Sequence, residues 1–281
     1  MTARGITWRQ AGWHLLFAGT SIVMLYPLLW MISSSLKNMS EIFNSQSLIP
    51  TEWVFSNYAR GWAGFPTVSF ASFFTNSFII CALVVIGNVA SGSLVAFAFA
   101  RLRFALRTFW FAVLLVSMML PGQVTLIPQY VLFHKLHWVN TYLPLTVPSF
   151  LGSSAFFVFL IVQFVRGIPR ELDEAATIDG CSTFQVYWRI IMPLCGPALI
   201  TTGIFSFIWT WDDFFSQLIY INDVKKYTVP LGLRLFLDNS GKSDWGPMLA
   251  MSVVSLLPNF VIFLTCQKYF VQGIVTSGLK G

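Results

Sequence analysis

The segment 167–195 holds the densest group of acidic side chains in the chain. Pro169 suits the first turn of a helix, because a backbone N–H at that position would have no intrahelical acceptor. Three acids follow and are stabilised by the positive end of a helix dipole: Glu171, Asp173 and Glu174. Gly180 is typical of the position just beyond a helix, where a left-handed backbone is favoured. The segment therefore begins with a predicted short acidic helix and a sharp turn.

A second short helix is predicted directly after this turn. Ser182 and Gln185 have the spacing of a capping box, in which each side chain bonds the backbone N–H of the other residue. Pro193 is expected to end this helix, because proline has no N–H for a helix interior. The two helices form either an ordinary amphipathic connector or a surface on which another protein docks.

Asp212 and Asp213 are the only acids within any apolar segment long enough to span a membrane. They lie about 16 residues beyond Pro197, which corresponds to about 24 Å along a helix. An acid inside a span indicates a functional site by default, whereas water or a neighbouring helix can satisfy an acid near the outer interface. Lining of a solute path and structural anchoring are therefore both open for these two residues.

Pro121 and Gly122 interrupt another long apolar segment. Irregular backbone at membrane depth is tolerated only against other protein or a water-filled cavity. Pro121 is therefore a candidate for the lining of a solute path, and a simple helix kink is the alternative.

The remaining residue types point to no catalytic or metal site. The chain has no GxxxxGK[ST] loop, so it cannot hydrolyse ATP by that route. The four cysteines form no CxxC pair, and the three histidines have no ligand partners at helical spacing. The net charge of +6 does not indicate nucleic-acid binding, because the basic residues are scattered between apolar runs. We expect no catalytic residue, no metal and no bound cofactor in this chain.

The composition places the chain in a membrane. Of its 281 residues 56% are hydrophobic and only 10% are charged, whereas soluble domains have about 25% charged residues. A bilayer core requires about 20 apolar residues per helix. Stretches free of Asp, Glu, Lys and Arg then predict six transmembrane helices, near 13–35, 74–99, 108–130, 146–166, 197–219 and 246–266.

An even number of spans puts both termini on the same side of the membrane. Arg101, Arg103 and Arg107 form a tight basic turn between the second and third spans. Because cytoplasmic loops carry an excess of Lys and Arg, this turn and both termini are predicted to be cytoplasmic. The segment 167–195 then also faces the cytoplasm.

The segment 167–195 resembles the EAA motif of ATP-binding-cassette (ABC) importer permeases. The matching residues are Glu174-Ala175-Ala176, Gly180 six residues after Glu174, then Ile190 and Pro193, with Met192 where leucine is usual. In that family the loop forms a coupling helix that docks in a groove of the ATPase subunit. The resemblance implies that the coupling residues are Glu171, Glu174, Ala175, Ala176, Asp179, Gly180, Ile190 and Pro193.

The resemblance extends along most of the chain and is to the carbohydrate-importer branch, of the maltose and glycerol-phosphate type. The matching motifs are Asn76-Ser77-Phe78, Ala100-Arg101-Leu102-Arg103-Phe104, Ile127-Pro128, Trp211-Asp212-Asp213-Phe214 and Leu257-Pro258. Many relatives carry Asn at the position of Asp212. The resemblance implies one transmembrane permease domain over 1–281, with its core at about 73–273 and the coupling loop at 167–195.

The function that the resemblance implies is that of a permease subunit in a binding-protein-dependent importer for a sugar, oligosaccharide or related polyol. The implied partners are a second permease subunit, two ATP-binding subunits that hold ATP and Mg²⁺, and an extracytoplasmic solute-binding protein. The implied location is the bacterial inner membrane, in contact with lipid.

Two alternatives belong to other classes. A polytopic membrane enzyme would need a cluster of acids or histidines facing one chamber, and the predicted spans supply only Asp212 and Asp213. A self-sufficient secondary transporter would show internal repeats with charges near the membrane midplane, and no such repeat is evident. Co-purification of an ATPase separates the importer from both alternatives.

Overall fold

The secondary structure is helical in the part of the chain that the computed structural model describes. That part is the backbone of residues 8–237 and 243–278 and the side chains of residues 12–237 and 243–267. Extended pairing within it is limited to an isolated bridge between Phe65 and Val68. The predicted all-α class is confirmed.

Fifteen α-helical segments are defined in the described residues. They are α1 Trp8–Ser34, α2 Met39–Asn44, α3 Ser56–Ala63, α4 Phe70–Arg101, α5 Arg107–Ser117, α6 Gly122–Lys135, α7 Leu143–Thr146, α8 Ala155–Gly167, α9 Glu171–Ile178, α10 Thr183–Gln185, α11 Met192–Leu194, α12 Gly196–Trp211, α13 Phe215–Tyr220, α14 Val229–Leu235 and α15 Trp245–Gly278. Short 3₁₀ turns occupy Val147–Leu151 and Val224–Lys226, and a π-helical stretch, Val186–Ile191, joins α10 to α11.

Four single helical stretches and two bent helix pairs are candidates for crossing a bilayer by length and composition, and in the second pair only α12 falls within a predicted span, 197–219. The single stretches that are long and apolar enough to cross a bilayer are Gly12–Ser34, Phe70–Arg101, Leu143–Gly167 and Trp245–Gln267. The bent pairs are α5 with α6, at 102°, and Thr183–Leu194 with α12, at 76°. Pro121 precedes α6 with an extended backbone, at φ −65° and ψ 130°. The irregularity expected at Pro121 is therefore a sharp bend between two helices.

The fifth span differs from its prediction over 197–219. The helix α12 ends at Trp211, and the short α13 begins only at Phe215. The two acids lie in the break between these helices rather than inside a helix. Aspartate side chains compete with the backbone for hydrogen bonds, and Asp213 Oδ1 accepts the backbone N–H of Ser216 at 3.1 Å. This competition is a physical reason for the helix to stop there.

Residue packing divides the chain into two compact units. The first comprises Met1–Phe70 with Leu233–Leu257, and the second Ala71–Gly232 with Pro258–Gly281. In the first unit, the buried Asn57 donates to the carbonyl oxygens of Ser35 and Lys37, both at 2.9 Å. These bonds satisfy the last carbonyl groups beyond α1, and so hold α3 against the end of that helix.

The second unit contains an apolar core to which the segment 167–195 contributes. Its buried members come from the last turns of α4, from α8, from α9 and from the chain between α9 and α12: Ala96, Phe97, Ala100, Val158, Ile161, Val162, Val165, Ala176, Val186, Tyr187, Ile191, Met192 and Cys195. Ala96 and Ala100 of α4 and Ala176 of α9 are small members of this core. The acidic segment is thus packed on the end of a transmembrane helix.

Candidate functional site

The turn after α9 has the geometry that the sequence predicts. Gly180 has a φ of +83°, in the left-handed region that favours glycine. The N–H of Cys181 bonds the carbonyl of Ala176 at 2.9 Å, and the N–H of Gly180 bonds that of Thr177 at 3.0 Å. These two bonds define a Schellman motif. The predicted stop at Gly180 is confirmed, and the helix axis can change direction sharply there.

The second helix begins with the predicted capping box. The Ser182 side chain accepts the N–H of Gln185 at 3.4 Å, and the Gln185 side chain accepts the N–H of Ser182 at 2.7 Å. The prediction that Pro193 ends this helix was wrong by one residue. Helical structure continues to Leu194. The N–H of Met192 bonds the carbonyl of Tyr187, five residues back, in a wider π turn. Such a turn relieves the crowding that a proline ring imposes on the preceding turn.

The first helix of the segment starts later than predicted. Pro169 lies outside α9, whose first residue is Glu171. The N–H groups of Asp173 and Glu174 both bond the carbonyl of Arg170, at 2.9 and 3.1 Å. Glu171, Asp173 and Glu174 therefore occupy the first turn, where the helix dipole stabilises their charges.

The two alanines of the motif face different surroundings. Ala175 is exposed, whereas Ala176 is only 6% exposed and belongs to the apolar core. At Ala176, the neighbours that the small side chain allows to approach closely are other parts of this same chain, not a partner protein. Ile190 is likewise half-buried against this core. Two of the predicted coupling residues, Ala176 and Ile190, therefore pack in or against the apolar core rather than on the exposed surface of the segment.

The solvent-exposed side of the segment combines acidic and apolar groups. Glu171, Glu174 and Asp179 are exposed, and Pro193 is exposed at the far end. Ile178, in the last turn of α9, has 86% of its surface exposed. It is the most exposed of the large apolar side chains in this segment. The sequence analysis did not single out Ile178.

A cluster of three charged side chains, here named the Arg101 cluster, joins the end of α4 to this segment; it consists of Arg101, Asp173 and Arg170. Arg101 Nε lies 2.7 Å from Asp173 Oδ2, and Arg101 Nη2 donates to the carbonyl of Ile168 at 2.8 Å. Arg170 Nη2 donates to the carbonyl of Ala100 at 3.4 Å. Burial raises the pKa of Asp173, and the charges of Arg101 and Arg170 act against that rise. The sequence analysis used Arg101 as a topology signal and as part of a family motif, and Asp173 as a dipole partner, without pairing the two.

Asp212 and Asp213 have separate partners. Asp212 is exposed and accepts a hydrogen bond from Asn259 Nδ2 of α15 at 3.1 Å. Asp213 accepts the N–H of Ser216 in the first turn of α13. The geometry gives Asp213 a local structural role, while the exposed carboxylate of Asp212 is available to a partner subunit, water or a solute.

Comparison with known proteins gives one family. Residues 88–275 match the family model described as the binding-protein-dependent transport system inner membrane component. The probable ABC transporter permease protein YurM of Bacillus subtilis is 36% identical over 260 residues, which cover 92% of this chain and 85% of that protein. The trehalose/maltose transport system permease protein MalG of Thermococcus litoralis is 34% identical over 262 residues, which cover 93% of each chain.

A solved structure has the same fold. It is the crystal structure of a bacterial ABC transporter involved in the import of the acidic polysaccharide alginate, and it matches with a TM-score of 0.82. The match covers 96% of this chain and 99% of that chain, at 19% sequence identity. The family and the two relatives are transport permeases, which are non-catalytic subunits, and they favour neither the membrane enzyme nor the secondary transporter. This chain belongs to the family of inner-membrane components of binding-protein-dependent transport systems, the permease subunits of ABC importers.

Proposed function

We propose that this chain forms half of the translocation pathway of a carbohydrate importer and couples to an ATPase through residues 167–195. The observation that carries the coupling role is the exposed side of α9, where Ile178 stands among Glu171, Glu174 and Asp179. An exposed apolar group gains free energy when a partner covers it, and the surrounding carboxylates fix the register of that partner. The Schellman turn at Gly180 holds this surface in shape.

The assembly that we propose has a second permease subunit, two ATP-binding subunits and an extracytoplasmic binding protein. ATP and Mg²⁺ are bound by the ATPase subunits. The termini and the segment 167–195 are cytoplasmic, which agrees with the basic turn at Arg101, Arg103 and Arg107.

The proposed solutes are a sugar, an oligosaccharide or a related polyol. This class is supported by the relative named for trehalose and maltose transport and by the motifs shared with the carbohydrate branch. Asp212 and Pro121 are the proposed contributors to the solute path. Both are exposed on the isolated subunit, at breaks in the helical spans.

Replacement of Ile178 by serine tests the coupling surface. Covering an isoleucine side chain contributes about 1.5–3 kcal/mol, and each 1.4 kcal/mol is about tenfold in affinity. Ile178→Ser is therefore expected to weaken attachment of the ATPase subunit at least about tenfold, as measured by titrated pull-down from detergent-solubilised membranes. Solute uptake should fall in parallel.

Ile49→Ser is the matched control, because Ile49 is 72% exposed and lies in a loop predicted to face outward. It should leave ATPase attachment unchanged. Equal attachment of the ATPase to wild-type and Ile178→Ser complexes would contradict the proposed coupling surface.

A further inference from the structure

The Arg101 cluster places a buried ion pair between a transmembrane helix and α9. The Arg101 side chain is only 6% exposed and that of Asp173 is 21% exposed. A charge that is removed from water is tolerated when an opposite charge and hydrogen bonds compensate it. Arg101 has both, because its Nε meets the Asp173 carboxylate while its Nη2 bonds the carbonyl of Ile168.

The contacts in this cluster run in both directions. Arg101, the last residue of α4, contacts Ile168 before α9 and Asp173 within it. Arg170, just before α9, donates in the other direction to the carbonyl of Ala100 on α4. Cationic groups at the end of α4 also complement the negative end of its helix dipole. Displacement of α9 along α4 would break these contacts together, which gives the junction a defined geometry.

Packing beneath the ion pair also favours joint movement of the two helices. Ala176 of α9 and Ala100 of α4 are 6% and 1% exposed and belong to the same apolar core. Farther along the segment, Tyr187 Oη lies 2.9 Å from Ser93 Oγ of α4. Close-packed contacts of this kind pass on a displacement rather than absorb it.

We propose that Arg101 and Asp173 form a charged link through which displacement of α9 by the ATPase subunit is passed to α4. Both are then positioning residues for energy coupling, not contacts of the ATPase or of the solute. The proposal rests on the proposed function, because it requires that the ATPase bind the exposed side of α9. It extends that function by assigning the transmembrane helix that receives the movement.

The test uses the full complex in proteoliposomes, with MgATP and the cognate solute-binding protein purified in its loaded form. Arg101→Gln and Asp173→Asn each remove one charge, and the asparagine retains an acceptor oxygen. We expect normal ATPase content and a normal basal rate of ATP hydrolysis, with the stimulation of hydrolysis by the binding protein reduced by about fivefold or more, the lower end of typical coupling between sites. Stimulation equal to that of the wild type would overturn the link.

The double variant Arg101→Gln with Asp173→Asn separates a link from two independent roles. Residues that act as one unit are non-additive, so the double variant should lose no more stimulation than the worse single variant. Losses that multiply would overturn the proposal. Normal stimulation in complexes that merely assemble in smaller amounts would also overturn it, because this is the signature of a purely structural ion pair.

Arg103→Gln is the matched control, since Arg103 is an exposed arginine two residues beyond Arg101. Full stimulation is expected, and a loss equal to that of Arg101→Gln would show a general charge effect and overturn the link.

Where Arg101→Gln complexes do not accumulate, Arg101→Lys keeps the charge but lacks the planar fork that serves two acceptors. Reduced stimulation is expected there too, and full stimulation would contradict the proposal. Failure of the wild-type complex to retain the ATPase would instead contradict the proposed function.

Discussion

The backbone of Gly180 shapes the proposed coupling surface. Its φ of +83° lies in a region that L-residues with a Cβ rarely adopt, and no atom lies within 4 Å of the position that a Cβ would take. A side chain at this position is therefore opposed by backbone strain rather than by a steric clash. The strain would act on the turn that orients Ile178 and the exposed acids.

Gly180→Val should leave the subunit inserted in the membrane but weaken its attachment to the ATPase. The left-handed conformation costs a residue with a Cβ about 1–2 kcal/mol, which corresponds to a loss in affinity of about 5- to 30-fold. Gly180→Asn should be milder, because asparagine tolerates this conformation. Titrated pull-down of the ATPase and uptake of radiolabelled solute measure both effects.

Gly167→Val provides the control for this substitution. Gly167 also has open space around its Cβ position, but its φ is not in the positive range. If Gly180→Val attaches the ATPase as well as Gly167→Val does, the turn is not required for coupling and the segment is only a connector.

At the scale of elements, the break between α12 and α13 separates the roles of two adjacent acids. Asp213 holds the first turn of α13 through Ser216, whereas Asp212 accepts a hydrogen bond from Asn259 of α15. The break therefore combines a helix cap with a contact between two spans. Its position beyond the end of α12 also leaves the Asp212 carboxylate exposed.

Asp213→Ala should reduce the amount of folded subunit, because loss of a capping acceptor costs about 0.5–2 kcal/mol. Asp213→Ser should restore most of it, because serine supplies a capping oxygen.

Asp212→Ala should lower solute uptake in complexes that assemble normally, and Asp212→Asn should be milder because it keeps a hydrogen-bonding group. Immunoblots of membranes and uptake assays distinguish these effects. Failure of Asp212→Ala to accumulate in the membrane would assign Asp212 a structural role instead.

At the scale of the whole molecule, the six spans and the basic turn make a prediction about orientation. In a background with Cys181→Ser and Cys266→Ser, the variant Arg103→Cys should be labelled only from the cytoplasmic side. The variant Trp53→Cys, in the same background, should be labelled by a membrane-impermeant reagent from outside. The two cysteines left in place, Cys81 and Cys195, are buried. Labelling of Arg103→Cys from the outer face would contradict the topology with cytoplasmic termini.

Local sequence was sufficient for the features that depend on neighbouring residues. The apolar lengths of the spans, the stop at Gly180 and the capping box of Ser182 and Gln185 follow from hydrophobicity, backbone preference and bonds across three or four residues. The structure confirms the stop and the capping box. The motif Glu174-Ala175-Ala176 also indicated the family, to which the matched relatives assign the chain.

The tertiary structure decided the features that join distant parts of the chain. Arg101 meets Asp173, and Arg170 meets the carbonyl of Ala100, 70 residues before it. The same packing buries Ala176, leaves Ala175 exposed, bends the third span by 102° and turns α12 by 76° from Thr183–Leu194. No local pattern specifies which helices pack together, because burial and ion pairing depend on the whole set of apolar faces being covered at once. The sequence therefore determined the elements and the surface motif, and packing determined how that motif is joined to the membrane helices.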